Sequence, residues 1–232
     1  MNSEHGHGSP TEDERAEEKG VSGLDGPISR HLNRPISSRI SLHVAPWSLT
    51  PDDWTFAGFG AVCAGALSFA VGAPRAGALL VHAGSVLDGV DGEVARIQGT
   101  FSEQGALLDL TLDRISDVAL LAGLAQGSGG RRLDWLLALA AANGIVISGL
   151  VKERVGAEGK SVAGLQREEA RGDAVDGVLP YTGRDGRLFA ATVLGLLRHP
   201  RLALLWLAAT SNLRLVRRLR AAREMLRRRS QE

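Results

Sequence analysis

The sequence predicts an all-α protein, an integral membrane bundle of six transmembrane helices with an N-terminal juxtamembrane amphipathic helix. Three observations lead to this prediction. Long uncharged apolar runs recur along the 232 residues, arginines concentrate beside alternate connections, and 29 glycines suit close helix packing in lipid. The average composition, 44% hydrophobic and 23% charged, conceals the apolar runs because polar residues are concentrated in the two tails and one loop.

The composition also excludes several classes of protein. The 27 basic residues are balanced by 26 acidic ones, so the chain is not a strongly basic nucleic-acid binder. A single cysteine, Cys63, excludes an internal disulfide framework and a cysteine-rich zinc site. With 4% aromatic residues the chain has too few rings for a base-stacking surface. We therefore expect no nucleic-acid partner.

The N-terminal part divides into two segments. Residues 1–26 contain almost no large apolar side chain, cannot bury enough surface to offset the entropy of ordering, and are predicted to form a disordered tail. Residues 27–46 mix apolar side chains with arginines and are predicted to form an amphipathic segment on the cytoplasmic membrane surface. Its apolar residues are Ile28, Leu32, Ile36, Ile40 and Leu42, and its arginines are Arg30, Arg34 and Arg39.

The predicted six-helix domain covers residues 47–218. Its first helix begins with Thr50 as N-cap and Pro51 at the first helical position, where the missing N–H costs nothing. Several apolar runs are shorter than the roughly 20 residues that an isolated span needs, but helices rich in alanine and glycine that pack on neighbours can still cross. The runs cover residues 54–71, 76–86, 105–125 with a polar interruption, 135–151, 188–197 and 202–213.

The charges predict the orientation in the membrane. With a cytoplasmic N-terminus, the outer connections hold five arginines, whereas the inner side holds those of the amphipathic segment, the 152–184 loop and the C-terminal tail. An even number of helices places both termini in the cytoplasm, in a plasma or inner membrane. The basic tail, residues 219–232, follows an apolar helix directly, which favours contact with anionic lipid headgroups over nucleic acid.

Four aspartates are the candidate chemical centre. Asp88 and Asp91 are three residues apart at the end of the second helix, and Asp109 and Asp113 are four apart at the start of the third, so each pair shares a helix face. Buried carboxylates in a membrane need compensating cations. Hard oxygen ligands without nearby cysteine or histidine favour Mg²⁺, Mn²⁺ or Ca²⁺ over zinc. Two such ions on shared carboxylates would bridge and neutralise a pyrophosphate, and Gly92 and Ala95 would leave room for a nucleotide.

The complete pattern from Asp88 to Asp113 is D-x2-D-G-x2-A-R-x8-G-x3-D-x3-D. It resembles, position for position, the signature of the CDP-alcohol phosphotransferases, the membrane family that includes phosphatidylinositol-phosphate and phosphatidylglycerol-phosphate synthases. The resemblance implies transfer of a substituted phosphate group from a CDP-alcohol to an acceptor hydroxyl, with release of CMP. It also implies Mg²⁺ or Mn²⁺ as cofactor, as two ions, and a homodimer.

The resemblance assigns roles to the motif residues. Asp88, Asp91, Asp109 and Asp113 match the metal-binding carboxylates, and Asp113 is the implied general base. Besides Asp88 and Asp91, the implied nucleotide-binding residues are Gly92, Ala95, Arg96 and Gly105. The neighbourhoods of Arg30, Asp88 and Arg184 look most like the di-myo-inositol-phosphate-phosphate synthase branch, whose substrates are CDP-inositol and inositol phosphate. The family often has Asn where this chain has Asp52, so no role of that Asn transfers.

Four cationic residues near the predicted cytoplasmic mouth are candidates for binding an acceptor phosphate: Arg114, Lys152, Arg184 and Arg187. For the arginines, membrane anchoring or pairing with Asp117 or Asp185 is an equally open alternative. Glu93 lies within the motif at a variable position, and we expect it to point away from the site.

Two other functions fit the pattern less well. Intramembrane aspartates also occur in transporters that bind a translocated cation. The outer halves of the second and third predicted helices lack acidic residues, which counts against a path through the protein. An inactive family member acting as a membrane interaction protein is disfavoured because all eight signature positions are intact.

Overall fold

Seven α-helices and no strand make up residues 28–157 and 182–229, the part of the chain that the computed structural model describes. The all-α prediction is therefore confirmed for these residues. The predicted disordered tail, most of the 152–184 loop and the last three residues lie outside this part. A π-helical turn, Ser29–Asn33, leads into α1; the helices are α1 (Arg34–Val44), α2 (Pro51–Ala70), α3 (Pro74–Gln98), α4 (Glu103–Gly127), α5 (Arg132–Ala157), α6 (Arg184–Leu196) and α7 (Pro200–Arg229).

Local sequence signals fix the helix ends near the aspartates. Thr50 caps α2, as predicted, in a reciprocal pair: its hydroxyl accepts from the Asp53 N–H at 3.3 Å, and Asp53 accepts from the Thr50 N–H at 2.8 Å. Gly99 ends α3 in the left-handed conformation, with φ of 64°. The hydroxyl of Ser102 then caps α4 by accepting from the Gly105 N–H at 3.0 Å. The two halves of the motif are thus joined by a connection of four residues.

Glycines bring α3 and α4 close to α2. A Cβ on Gly84 of α3 would lie 2.5 Å from Val62 Cγ2 and 2.9 Å from the carbonyl oxygen of Gly58. A Cβ on Gly123 of α4 would overlap the carbonyl of Ala66. Only glycine allows the backbones to approach this closely. The apolar core forms around these crossings and includes Val62, Phe69, Val81, Leu120, Leu124, Leu188 and Leu204.

The two motif helices do not pack on each other, although the short connection predicts antiparallel neighbours. α3 packs on α1, α2 and α6, whereas α4 packs on α2, α5 and α7. Helix α2 contacts both of them, and α6 lies against α3. The motif faces therefore approach each other across a gap, which leaves room for other groups between the carboxylates.

Length and hydropathy single out one of the predicted membrane spans. Within residues 28–157 and 182–229, one segment, Arg132–Val155, is long and apolar enough to cross a membrane by length and composition. Helix α6 has 13 residues and is roughly 20 Å long. Helix α7 continues to Arg229, so the predicted boundary between residues 218 and 219 falls inside it.

Helix α1 buries its polar side. Asn33, Ser37 and Ser41 are buried against α3, whereas Ile36 and Leu42 are exposed. The segment is helical, and both hydrogen bonds and apolar contacts attach it to α3, whereas its predicted place on the membrane surface stays a prediction. At its C-terminal end, Ile40 and Val44 pack against Val90 and Val94 of α3, whereas Ile36, Arg39 and Leu42 are exposed.

Candidate metal and nucleotide site

Three of the four predicted carboxylates meet in the gap between α3 and α4. One oxygen each from Asp88, Asp109 and Asp113 can be chosen so that all lie within 4.8 Å of one another. Oδ1 of Asp109 is buried and has no hydrogen-bond partner. Buried carboxylate oxygens without a partner are unfavourable unless a cation satisfies them.

Asp91 lies outside this group of three. Its side chain is 7% exposed, and Oδ2 accepts a 2.7 Å hydrogen bond from the Thr55 hydroxyl of α2. Asp91 follows Asp88 by three residues and is turned toward α2, which explains why its carboxylate is engaged there. The metal-ligand role predicted for Asp91 stays a prediction.

Arg184, at the start of α6, neutralises part of the cluster. Its Nη1 lies 2.7 Å from Asp88 Oδ1, and its Nη2 lies 2.7 Å from Asp113 Oδ1. Nη2 also lies 3.4 Å from the Ser116 hydroxyl. The side chain of Arg184 is 18% exposed. Sequence reasoning placed Arg184 near the site, but not between the two carboxylates, because the position of α6 depends on tertiary packing.

The donor set fits a divalent metal ion. All three converging ligands are carboxylates, and the group contains no cysteine or histidine. Hard oxygen donors of this kind suit Mg²⁺ or Mn²⁺. The unpartnered Oδ1 of Asp109 gives such an ion a ligand that no side chain uses. The residues present therefore fit the predicted cofactor.

The small motif residues border the carboxylates. A Cβ on Gly92 would meet only Arg96 Nη2 within 4 Å, at 3.8 Å, so the space beside this backbone is open. Ala95 is buried and Arg96 is exposed. A Cβ on Gly105 would lie 3.2 Å from the Ser102 hydroxyl and 3.4 Å from Asp52 Oδ1, so this glycine stands at the tight start of α4.

The four predicted acceptor-site cations separate into different environments. Arg187 is 6% exposed, and its Nη2 lies 2.8 Å from Asp117 Oδ2, which favours the alternative of pairing with Asp117. The guanidinium of Arg114 passes over Gly149, and its Nη2 is 3.8 Å from Glu153. Lys152 is exposed on α5. Arg184 contacts the carboxylates.

Two arginines at the end of the predicted domain, Arg214 and Arg218, also belong to this region, although the sequence did not single them out as site residues. Arg218, Arg214 and Arg114 lie near enough to Lys152 for their positive charges to repel its ammonium group. Arg214 donates to the Thr182 hydroxyl at 3.2 Å, and Arg218 donates to the Ser148 carbonyl oxygen at 2.9 Å. Their spacing of four residues, which places them on one helix face, was an available signal once α7 was extended beyond its apolar run.

Glu93 has a structural contact that the sequence did not indicate. Its carboxylate accepts hydrogen bonds from the hydroxyls of Ser37 at 2.9 Å and Ser41 at 2.8 Å. A further bond joins the Asn33 amide to the Ser85 hydroxyl at 2.9 Å. Glu93 points away from the cluster, as expected, and attaches α1 to the motif helix.

Comparison with known proteins agrees with this geometry. The family model described as CDP-alcohol phosphatidyltransferase matches residues 49–163, a range that contains the whole motif. Residues 49–163 therefore form a domain of this family. A bifunctional IPC transferase and DIPP synthase of Rubrobacter xylanophilus is 38% identical over 207 residues, covering 87% of this chain and 43% of that protein. The chain thus spans less than half the length of this relative.

Further relatives carry inositol in their names. An archaetidylinositol phosphate synthase of Methanothermobacter thermautotrophicus is 37% identical over 49% of this chain and 54% of that protein. The crystal structure of Mycobacterium tuberculosis phosphatidylinositol phosphate synthase with CDP-DAG bound has a TM-score of 0.62 and 28% identity, covering 81% of this chain and 94% of that one. A second structure of that protein is in complex with manganese and citrate.

Proposed function

We propose that the chain transfers a substituted phosphate group from a CDP-alcohol to an acceptor hydroxyl, with release of CMP. The observation that carries this proposal is the convergence of Asp88, Asp109 and Asp113, the signature carboxylates, within 4.8 Å across the gap between α3 and α4. The match of residues 49–163 to the family model supports it, as do relatives named for synthases and transferases.

The three carboxylates, with Asp91 beside them, would hold Mg²⁺ or Mn²⁺, as two ions. Bound divalent ions supply neutralisation of the diphosphate and of the leaving CMP. Asp113 is the proposed general base, because the family resemblance assigns it this role and a carboxylate of the cluster can take the proton of an acceptor hydroxyl. The acceptor oxygen then forms its bond to phosphorus as the bond to CMP breaks.

The nucleotide is proposed to lie along the motif face of α3. The open space beside Gly92 admits a bulky group close to the backbone, and the exposed Arg96 supplies a positive charge at the edge of that space. The resemblance also assigns the buried Ala95 and Gly105, at the start of α4, to nucleotide binding. Asp91, oriented by Thr55, completes the carboxylate side of the site.

The acceptor is proposed to be an inositol phosphate, with a CDP-linked lipid or CDP-inositol as donor. Support comes from the names of the relatives and from the group of positive charges formed by Arg114, Lys152, Arg214 and Arg218. Such a group suits a phosphate, which forms charge-assisted hydrogen bonds with guanidinium groups. Arg184 is proposed to add its charge to this group when it is not paired with Asp88 and Asp113.

The protein is proposed to cross a plasma or inner membrane six times, through α2 to α7, with both termini in the cytoplasm. Large apolar side chains exposed on these helices support the proposal, among them Phe56, Leu67, Leu79, Leu139 and Leu150. Reporter fusions after successive helices test the topology. A homodimer is proposed from the family resemblance, and the mass of the detergent-solubilised protein, measured by light scattering, tests it.

The activity test uses purified protein with Mg²⁺ or Mn²⁺ and measures CMP release. CDP-diacylglycerol and CDP-inositol serve as donors, each with inositol phosphate or glycerol phosphate as acceptor. Asp109→Asn should lose CMP release, whereas Asp53→Asn, an aspartate that caps α2, should retain it. No CMP from any donor, or full activity of Asp109→Asn, contradicts the proposal.

A further inference from the structure

The guanidinium of Arg184 joins two carboxylates that belong to different helices. Nη1 contacts Asp88 on α3, and Nη2 contacts Asp113 on α4, both at 2.7 Å. A guanidinium presents separate N–H groups in a rigid plane, so it bridges two carboxylates in a way that a single ammonium cannot. Arg184 therefore holds the two halves of the motif together across the gap.

The same two carboxylates belong to the group that fits a divalent ion. Two cations on shared ligands repel each other, and the repulsion is strong where water screens poorly. The Arg184 side chain is 18% exposed, and those of Asp88 and Asp113 are 35% and 19% exposed. Such partial exposure gives the guanidinium a route out of the cluster. Binding of a divalent ion and contact with Arg184 should therefore compete.

We propose that Arg184 is the internal counter-cation of the metal site. It neutralises Asp88 and Asp113 until a divalent ion takes its place on these carboxylates. The released guanidinium remains at the start of α6, where it can meet the phosphate of an acceptor. The proposal rests on the function proposed above, because it assumes that these carboxylates bind divalent ions.

The test is a titration of the purified protein with Mn²⁺, with free Mn²⁺ measured by electron paramagnetic resonance. Arg184→Met removes the competing cation and should bind Mn²⁺ about tenfold more tightly than the wild type, or about 1.4 kcal/mol. Arg184→Lys keeps a charge that cannot bridge both carboxylates, so a gain of roughly threefold is expected. If Arg184→Met does not fold, Mn²⁺ binding by Arg184→Lys tests the proposal in its place. Arg114→Met is the matched control, because this arginine lies near Glu153 and its loss removes the same charge.

Stability gives a second readout. Without metal, Arg184→Met should unfold at a lower temperature than the wild type, because Asp88 and Asp113 lose their cation; saturating Mn²⁺ should remove the difference. Unchanged or weaker Mn²⁺ binding in the Arg184 variants overturns the inference, and so does an equal gain in Arg114→Met. If the wild type binds Mn²⁺ and releases CMP, such a result leaves the proposed function intact. If no variant binds Mn²⁺, both proposals fail.

Discussion

The ion pair between Arg187 and Asp117 distinguishes a structural arginine from one that binds substrate. Nη2 of Arg187 lies 2.8 Å from Asp117 Oδ2, and the two side chains are 7% and 4% exposed. Removing one partner of such a pair leaves a buried charge without compensation, which costs roughly 3–5 kcal/mol. We expect Arg187→Met to lower the free energy of unfolding by that amount. For a chain of this length the unfolding midpoint should fall by roughly 6–20 °C.

Thermal unfolding in detergent, followed by circular dichroism, measures the effect. The double variant Asp117→Leu with Arg187→Met leaves no buried charge, so it should lose less stability than Arg187→Met alone. Arg39→Met removes an exposed arginine and should change the free energy of unfolding by less than about 0.5 kcal/mol. The reasoning is refuted if Arg187→Met unfolds like the wild type and instead raises the KM for the acceptor, which is the result that an acceptor-binding arginine predicts.

Three further predictions follow from other contacts. Glu93→Ala should free α1 from α3 at a local cost of about 1–3 kcal/mol, which should appear as faster amide exchange in residues 34–44. Glu93→Gln should retain part of the protection. Unchanged exchange would show that the hydrogen bonds from Ser37 and Ser41 do not hold α1. Gly123→Ala should lower the free energy of unfolding by about 1–3 kcal/mol, because the new methyl group meets the Ala66 carbonyl. Gly60→Ala should not lower it, because nothing lies within 4 Å of that position. Equal unfolding midpoints of the two variants would contradict the close α2–α4 crossing. Mn²⁺ at 100 times its Kd should stabilise the wild type by about 2.7 kcal/mol and Asp109→Asn by much less, and an equal gain would place the ion elsewhere.

Local signals predicted the helices, and tertiary packing decided what they did not predict. Thr50 and Pro51 marked the start of α2 correctly, because a cap depends on the few residues around it. The end of α7 was missed because residues 214–229 have no apolar run, although they are helical. The inward face of α1 was missed because serines that bond to Glu93 look like solvent-facing residues in the sequence alone.

The carboxylates of the site were predictable to the extent that helical spacing determines them. Asp109 and Asp113 share a face because they are four residues apart, and this face does meet Asp88. The sequence did not predict that α3 and α4 would leave a gap, since α2 and α6 determine their separation. Nor did it predict the guanidinium of Arg184 in that gap, because a segment 71 residues after Asp113 supplies it.

Two ion pairs join α4 to α6, and their different burial gives them different properties. Asp113 pairs with Arg184, and one turn further along Asp117 pairs with Arg187. Breaking the pair of Arg187 and Asp117 leaves both charges in the protein interior. The side chains of Arg184 and Asp113 are 18% and 19% exposed, so their pair opens toward the proposed site, where ions and phosphates can replace each partner. The buried pair of Arg187 and Asp117 therefore fixes the distance between the two helices, while the pair of Arg184 and Asp113 is the one that we propose to exchange its partners. Arg187→Met should lose stability with or without Mn²⁺, and the loss in Arg184→Met should be confined to the metal-free protein.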